Sequence, residues 1–172
     1  MAPVTILLLS LILGISLSLH VVGFTYGQSL KSYEIPLLGI RFQYPSEWKI
    51  GYERANGVGF YLLDNQSKTE DILTIRVEDS MGVKDMKQFL TNAIIQYSAP
   101  KNFSSLKLTE TNLSSLPAMN ATFNFKDDRH VQGVYTIKDD TSYGIVYAAL
   151  PDTYSNHIAE VNNIIKSFEI AP

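Results

Sequence analysis

Residues 41–50, RFQYPSEWKI, govern how the rest of the chain is read. Phe42 and Tyr44 alternate with Arg41 and Gln43 as in a half-buried strand, and the alternation stops at Pro45. Proline has no N–H for a strand ladder and its ring fixes φ, so the ladder ends there and Ser46 and Glu47 complete a turn. The chain then returns to the sheet at Trp48, the only tryptophan in 172 residues. Burial of that ring is worth a few kcal/mol by area. Tyr44, Pro45 and Trp48 are therefore expected to anchor the fold.

Upstream, residues 32–39 (SYEIPLLG) read as a short extended entry and a turn at Leu38-Gly39, with the strand starting at Ile40. Downstream, GFYLLD (59–64) and DILTIRVED (71–79) read as strands joined by a hairpin connection over residues 65–68. In the second strand Leu73, Ile75 and Val77 alternate with Thr74, Arg76 and Glu78. The period then changes. Val83, Met86, Phe89, Leu90, Ala93, Ile94 and Tyr97 recur at spacings of three and four, which predicts an amphipathic helix ended by Pro100.

Four more extended pieces follow: SSLKLTETNLS (104–114), AMNATFNF (118–125), VQGVYTIK (131–138) and TSYGIVYAAL (141–150). Polar clusters between them predict tight turns and antiparallel order. Tyr135, Tyr143 and Tyr147 are expected to share sheet faces with Ile137 and Ile145 as core. Pro151 opens a last helix whose stripe is Tyr154, Ile158, Val161, Ile165 and Phe168. The pattern is α+β, an antiparallel sheet covered by two main helices.

Composition narrows the setting. The first 27 residues contain no charged side chain, and residues 4–24 are dominated by apolar ones. Thr25 and Gly27 fit the small-residue pattern before a signal-peptidase cut, which makes residues 1–27 a signal peptide and Gln28 the new N-terminus. The same stretch is long enough to stay as an uncleaved N-terminal anchor, the one membrane attachment expected. Either way residues 28–172 form one exported domain, secreted or at the outer cell surface. All 14 basic and 17 acidic residues lie in that part, giving a net charge of −3 without a basic stripe, so nucleic acid is not an expected partner. Cysteine is absent, which removes disulfides, thiolate metal sites and cysteine nucleophiles. Asn-x-Ser/Thr sequons at Asn65, Asn102, Asn112 and Asn120 are candidate glycosylation sites.

The order of these pieces resembles a known family. GIRFQYPSEWKI, with a glycine-aromatic strand running into Tyr-Pro-x-x-Trp, is similar to the N-terminal signature of PsbP-like domains. LPAMNATF, the aromatic strand YGIVYAAL and Ser167-Phe168 in IIKSFEI extend the resemblance over about residues 39–170. The family implies an α/β/α sandwich with a central antiparallel sheet, shared by extrinsic photosystem II subunits, Ran-binding Mog-type proteins and exported prokaryotic proteins. A cysteine-free leader and frequent sequons resemble the secreted archaeal members. Most members are binding or accessory proteins, so the expected function is a non-catalytic module contacting another exported or membrane-attached protein. The alternatives are a carrier of a small apolar ligand between sheet and helix, and a module responsive to a divalent metal.

For the metal, two Asp-rich turns are candidates: Asp127 and Asp128 with His130, and Asp139 with Asp140. Carboxylates and imidazole suit calcium, manganese or zinc. The strand between the turns spans roughly 20 Å, so one ion cannot bridge them. Asp also favours turns for local hydrogen-bonding reasons. His157 and Glu160 offer two ligands, too few for a site, and read as a solvated helix flank; Gly57-Val-Gly59 reads as a hairpin turn rather than a phosphate loop. No catalytic motif occurs, and no enzyme activity is expected.

Overall fold

The structure, a computed structural model, describes residues 29–63, 70–97 and 103–172. The leader, Asn65, Asn102 and Pro100 lie outside the described residues, as do the side chains of Ala93, Ile94 and Tyr97.

Among the described residues ten strands and two α-helices follow one another as β1 (Leu30–Ile35), β2 (Ile40–Pro45), β3 (Lys49–Arg54), β4 (Gly57–Leu63), β5 (Glu70–Asp79), α1 (Met86–Tyr97), β6 (Phe103–Leu113), β7 (Leu116–Phe125), β8 (His130–Lys138), β9 (Thr141–Ala149), α2 (Pro151–Ser167) and β10 (Glu169–Ile170). A seven-stranded antiparallel sheet has the order β3-β4-β5-β9-β8-β7-β6, and a three-stranded sheet the order β1-β2-β10. The α+β class and antiparallel order are as expected. The turn at Pro45 does more than interrupt one sheet: it carries the chain from the small sheet to the large one. Trp48 N–H donates to the Pro45 carbonyl at 3.1 Å and Ser46 N–H to the Ser29 carbonyl at 2.9 Å, which closes that corner.

Three layers meet at the core. Ile40, Phe42 and Tyr44 from the small sheet pack with Val58, Phe60, Leu73, Ile75, Ile145 and Tyr147 from the large one, and with Val161, Ile164 and Phe168. Aromatic rings dominate the contact: Tyr44 and Phe60 lie 4.8 Å apart, Phe42 and Phe168 stack at 6.0 Å, and Trp48 meets Tyr147 edge-on at 6.1 Å. Trp48 is 1% exposed, and its indole N–H finds an acceptor in the Glu160 carboxylate at 2.9 Å. Glu160 and His157 therefore do not form a solvated flank. They close over the tryptophan, with His157 Nδ1 3.2 Å from the same carboxylate oxygen.

On the other face of the large sheet, α1 packs Leu90 against Ala121, with Met86, Phe89, Met119 and Tyr135 around it. The helix begins at Met86 and not at Val83. Asp85 is its cap, accepting the Gln88 N–H at 2.8 Å, and Val83 belongs to the preceding turn. Tyr143 and Tyr147 are core as expected, while Tyr135 points to the α1 face and covers Gly133 and Gly144, where an added Cβ would lie 2.5 and 2.8 Å from its ring. Gly57 and Gly59 lie within β4, just past the turn. A Cβ on Gly57 would come within 2.2 Å of the Ile75 carbonyl oxygen, so β4 can approach β5 there only without a side chain.

Two outcomes follow. Glu160→Leu leaves a buried indole N–H without its acceptor and should cost about 1–3 kcal/mol, whereas Glu160→Gln, which keeps a carbonyl acceptor, should cost clearly less. Urea unfolding followed by the fluorescence of the sole tryptophan measures both. The second concerns alkali. Burial, reinforced by the hydrogen bond that Tyr33 donates to Glu53, pushes the Tyr33 hydroxyl up to about 12, and burial pushes Tyr135 up to about 12. An unfolded tyrosine ionises near pH ~10, so above that value the unfolded chain releases protons first and stability falls as pH rises toward about 12. The urea midpoint should hold to pH ~10 and then decline. Burial also raises Tyr143 and Tyr154, so phenolate absorbance should show a group of tyrosines lagging until unfolding, with Tyr33 and Tyr135 in it.

Candidate functional site

The alternation of β6 and β7 puts different chemistry on the two faces of this end of the sheet. Register pairs Thr109 with Asn120, Asn120 with Val134, Lys107 with Thr122 and Thr122 with Gln132, so these side chains share the face that α2 lies on. Leu108, Met119, Ala121 and Phe123 take the opposite face, that of α1. α2 packs against β2, β5, β8 and β9. Beyond its outer flank the β6–β7 hairpin overhangs and leaves a cleft of about 960 Å³.

Thr109, Asn120, Gln132 and Val134 form the cleft floor, Asn162, Ile165 and Lys166 one wall, and Ser114, Ser115, Phe168, Glu169, Ile170 and Pro172 its end. The tail is fastened there. Ile170 N–H donates to Ser114 Oγ at 2.8 Å, Ala171 N–H to the Gly39 carbonyl at 2.7 Å, and Arg41 Nε to Glu169 Oε2 at 2.6 Å. The wall and floor are also linked: Gln132 Nε2 donates to Asn162 Oδ1 and Tyr154 donates its hydroxyl to Gln132 Oε1, both at 3.4 Å. Asn120 Nδ2 donates to Thr109 Oγ1 at 3.4 Å. Asn120 Oδ1 is buried and has no hydrogen-bond partner. An acceptor left in that state costs about 1–3 kcal/mol.

Neutral amides and hydroxyls thus dominate the lining. The charged members are the paired Arg41 and Glu169, with Lys166 and Glu110 at the rim. Such a surface binds through hydrogen bonds. Sequence reading missed this cleft, although the alternation of Asn120, Thr122 and Asn124 with Ala121, Phe123 and Phe125 carries its signal.

The metal candidates sit elsewhere and apart. Asp127 and Asp128 lie in the β7–β8 turn and Asp139 and Asp140 in the β8–β9 turn, at opposite ends of a nine-residue strand. The Arg129 guanidinium binds the Asp127 carboxylate at 2.8 and 2.7 Å and holds it below the usual carboxylate range. His130 turns its ring to Tyr154, 5.4 Å away. Asp128, Asp139 and Asp140 adopt φ of 64°, 50° and 62°, and Lys138 pairs with Thr141 across the last two, the geometry of a two-residue type I′ hairpin. Among the described residues no group of three or more His, Cys, Asp or Glu gathers as a ligand set. Of the sequons within the described residues, Asn112 is exposed on β6 while Asn120 has its amide in the cleft floor.

The Asp139-Asp140 turn gives a direct test. The double substitution D139N/D140G supplies the preferred type I′ pair and should raise stability by up to about 1 kcal/mol. The thermal midpoint should respond equally to calcium, manganese or zinc before and after the change. A metal-dependent rise of several degrees that the double substitution abolishes would instead make the turn a metal site.

No protein-family model matches the chain, and no curated protein matches its sequence. Solved structures do match its fold. Cyanobacterial PsbP (CyanoP) from Synechocystis superposes with a TM-score of 0.59 at 13% identity, over 86% of this chain and 98% of that one. The Ran-binding protein Mog1p of Saccharomyces cerevisiae gives 0.58 at 8% identity, over 83% and 96%. LpqN of Mycobacterium tuberculosis, described as involved in cell envelope biogenesis, gives 0.54 at 14% identity, over 85% and 86%. The chain therefore has the fold common to PsbP and Mog1.

Proposed function

We propose that the chain is a non-catalytic exported binding module that contacts another exported or membrane-attached protein. The observation that carries this reading is the cleft beside α2, where amides and hydroxyls outnumber groups able to donate or accept a proton in catalysis. A lining of that kind exchanges hydrogen bonds with a partner and does little chemistry.

Three lines of support surround it. Mog1p, of the same fold, is named for binding another protein, Ran. LpqN, also of this fold, is involved in cell envelope biogenesis. The uncharged leader of residues 1–27 and the resemblance to secreted archaeal members favour export of this chain. Among the described residues no helix is long and apolar enough to cross a membrane. A carrier of an apolar molecule is disfavoured at this cleft, because Thr109, Asn120, Gln132 and Asn162 would have to give up water for a cargo that returns no hydrogen bonds.

Site-specific photocrosslinking on intact cells tests the reading. A benzophenone side chain at Asn112 or Lys166, both exposed beside the cleft, should yield adducts heavier by a second protein. The same group at Lys49 or Arg54, on the far edge of the sheet, should not. Absence of protein adducts at every position would contradict a protein-binding role.

A further inference from the structure

From the edge of the large sheet we infer that β6 accepts an added strand from the partner, and that this strand alternates polar with apolar residues. The inference rests on the protein-binding reading above and specifies its site and chemistry.

β6 is an edge strand of 11 residues, so alternate N–H and C=O groups along it have no ladder partner. Its first half is blunted. The register with β7 shifts between Ser104 and Lys107, and Ser105 takes φ 61°. From Leu108 to Leu113 the pairing runs without a break over six consecutive residues. The opposite edge, β3, has only six residues, carries Lys49, Glu53 and Arg54, and is itself interrupted by a bulge between Ile50 and Tyr52. Charges and bulges are the ordinary defences of an edge against pairing. The second half of β6 has one charge, Glu110, and no bulge.

What singles out this half further is the space on both sides of it. The polar cleft lies on the α2 side. A second cleft of about 490 Å³ lies on the α1 side, against Met86, Pro117, Ala118 and Met119. Glu110, Thr111 and Asn112 border both. An added strand would run between the two clefts, and its period of two would send successive side chains alternately into them. Toward α2 they would meet Thr109, Thr111 and Lys166; toward α1, Met86, Met119 and Pro117, past Glu110 and Asn112 of β6 itself. Polar residues suit the first row and apolar ones the second, where methionine packs adaptably. Lys166 has no ion-pair partner among the described residues, so charge complementarity favours one acidic residue on the polar row.

The probe is a displayed library of random heptapeptides selected on the purified chain. The enriched peptides should alternate polar and apolar residues, and the best should then be synthesised with single N-methyl groups moved along its backbone. Methylation at one parity removes an N–H bonded to β6 and should weaken binding about threefold to tenfold per site; at the other parity it should change little. Because the modification is on the peptide, folding of the protein is not at stake. Met86→Ser should relax the apolar row of the consensus and leave the polar row intact. Absence of enrichment, a consensus without period two, or equal tolerance of both N-methyl parities would overturn the inference. Protein crosslinks at Asn112 or Lys166 alongside any of those results would leave the binding-module reading standing and remove only strand addition.

Discussion

The burial of Trp48 is the constraint on which the other features depend. Its ring sits at the corner where the chain leaves the small sheet for the large one, between Tyr147 at 6.1 Å and His157 at 6.2 Å. Its N–H reaches across to Glu160 on α2, 112 residues later. One side chain thus ties together both sheets and the second helix. The aromatic cluster of Phe42, Tyr44, Phe60 and Phe168 extends the same junction, and without cysteine no disulfide helps to hold it. Phe168 completes the arrangement at the end of α2, where its N–H donates to the Ile165 carbonyl at 3.3 Å and β10 then pairs with β2.

Placing α2 at that junction determines where the large sheet is left uncovered. The helix lies over the β5-β9-β8 region and against β2, and β6 and β7 extend past it. Their α2-side face carries Lys107, Thr109, Thr111, Asn120 and Thr122 beyond the buried Leu113 and Ala118, and their α1-side face Leu108, Met119, Ala121 and Phe123, with Glu110 and Asn112 toward the hairpin end. The overhang is consequently stable without a second helix on the polar side: α1 buries the apolar face and water reaches the other. The cleft, its unsatisfied Asn120 oxygen and the regular edge of β6 are three consequences of one geometric fact.

Much of this was legible in local pattern. Period-two alternation marked the strands, Pro45 and Trp48 marked the corner, and the stripe from Tyr154 to Phe168 marked α2, because each signal needs only near neighbours. What stayed hidden depends on distant pairing. Nothing near Arg41 announces that it pairs with Glu169, or that Pro45 divides two sheets. Glu160 looked solvated since its partner lies far away in sequence. The cleft required the registers of β6, β7 and β8 together before Thr109, Asn120, Gln132 and Asn162 could be seen as neighbours. The start of α1 was misplaced for a local reason: Val83 keeps the helical phase, but Asp85 caps the helix behind it.

Residue-resolved amide hydrogen exchange by NMR on the isolated chain tests the central claim most directly, that a tightly bound junction around Trp48 leaves the β6 edge open. Amides of β5, β8 and β9 should exchange only with global unfolding, and within residues 108–113 alternate amides should exchange orders of magnitude faster than their neighbours. Uniform protection along that half of β6, or exchange in β5 and β9 as fast as at the edge, would contradict the account.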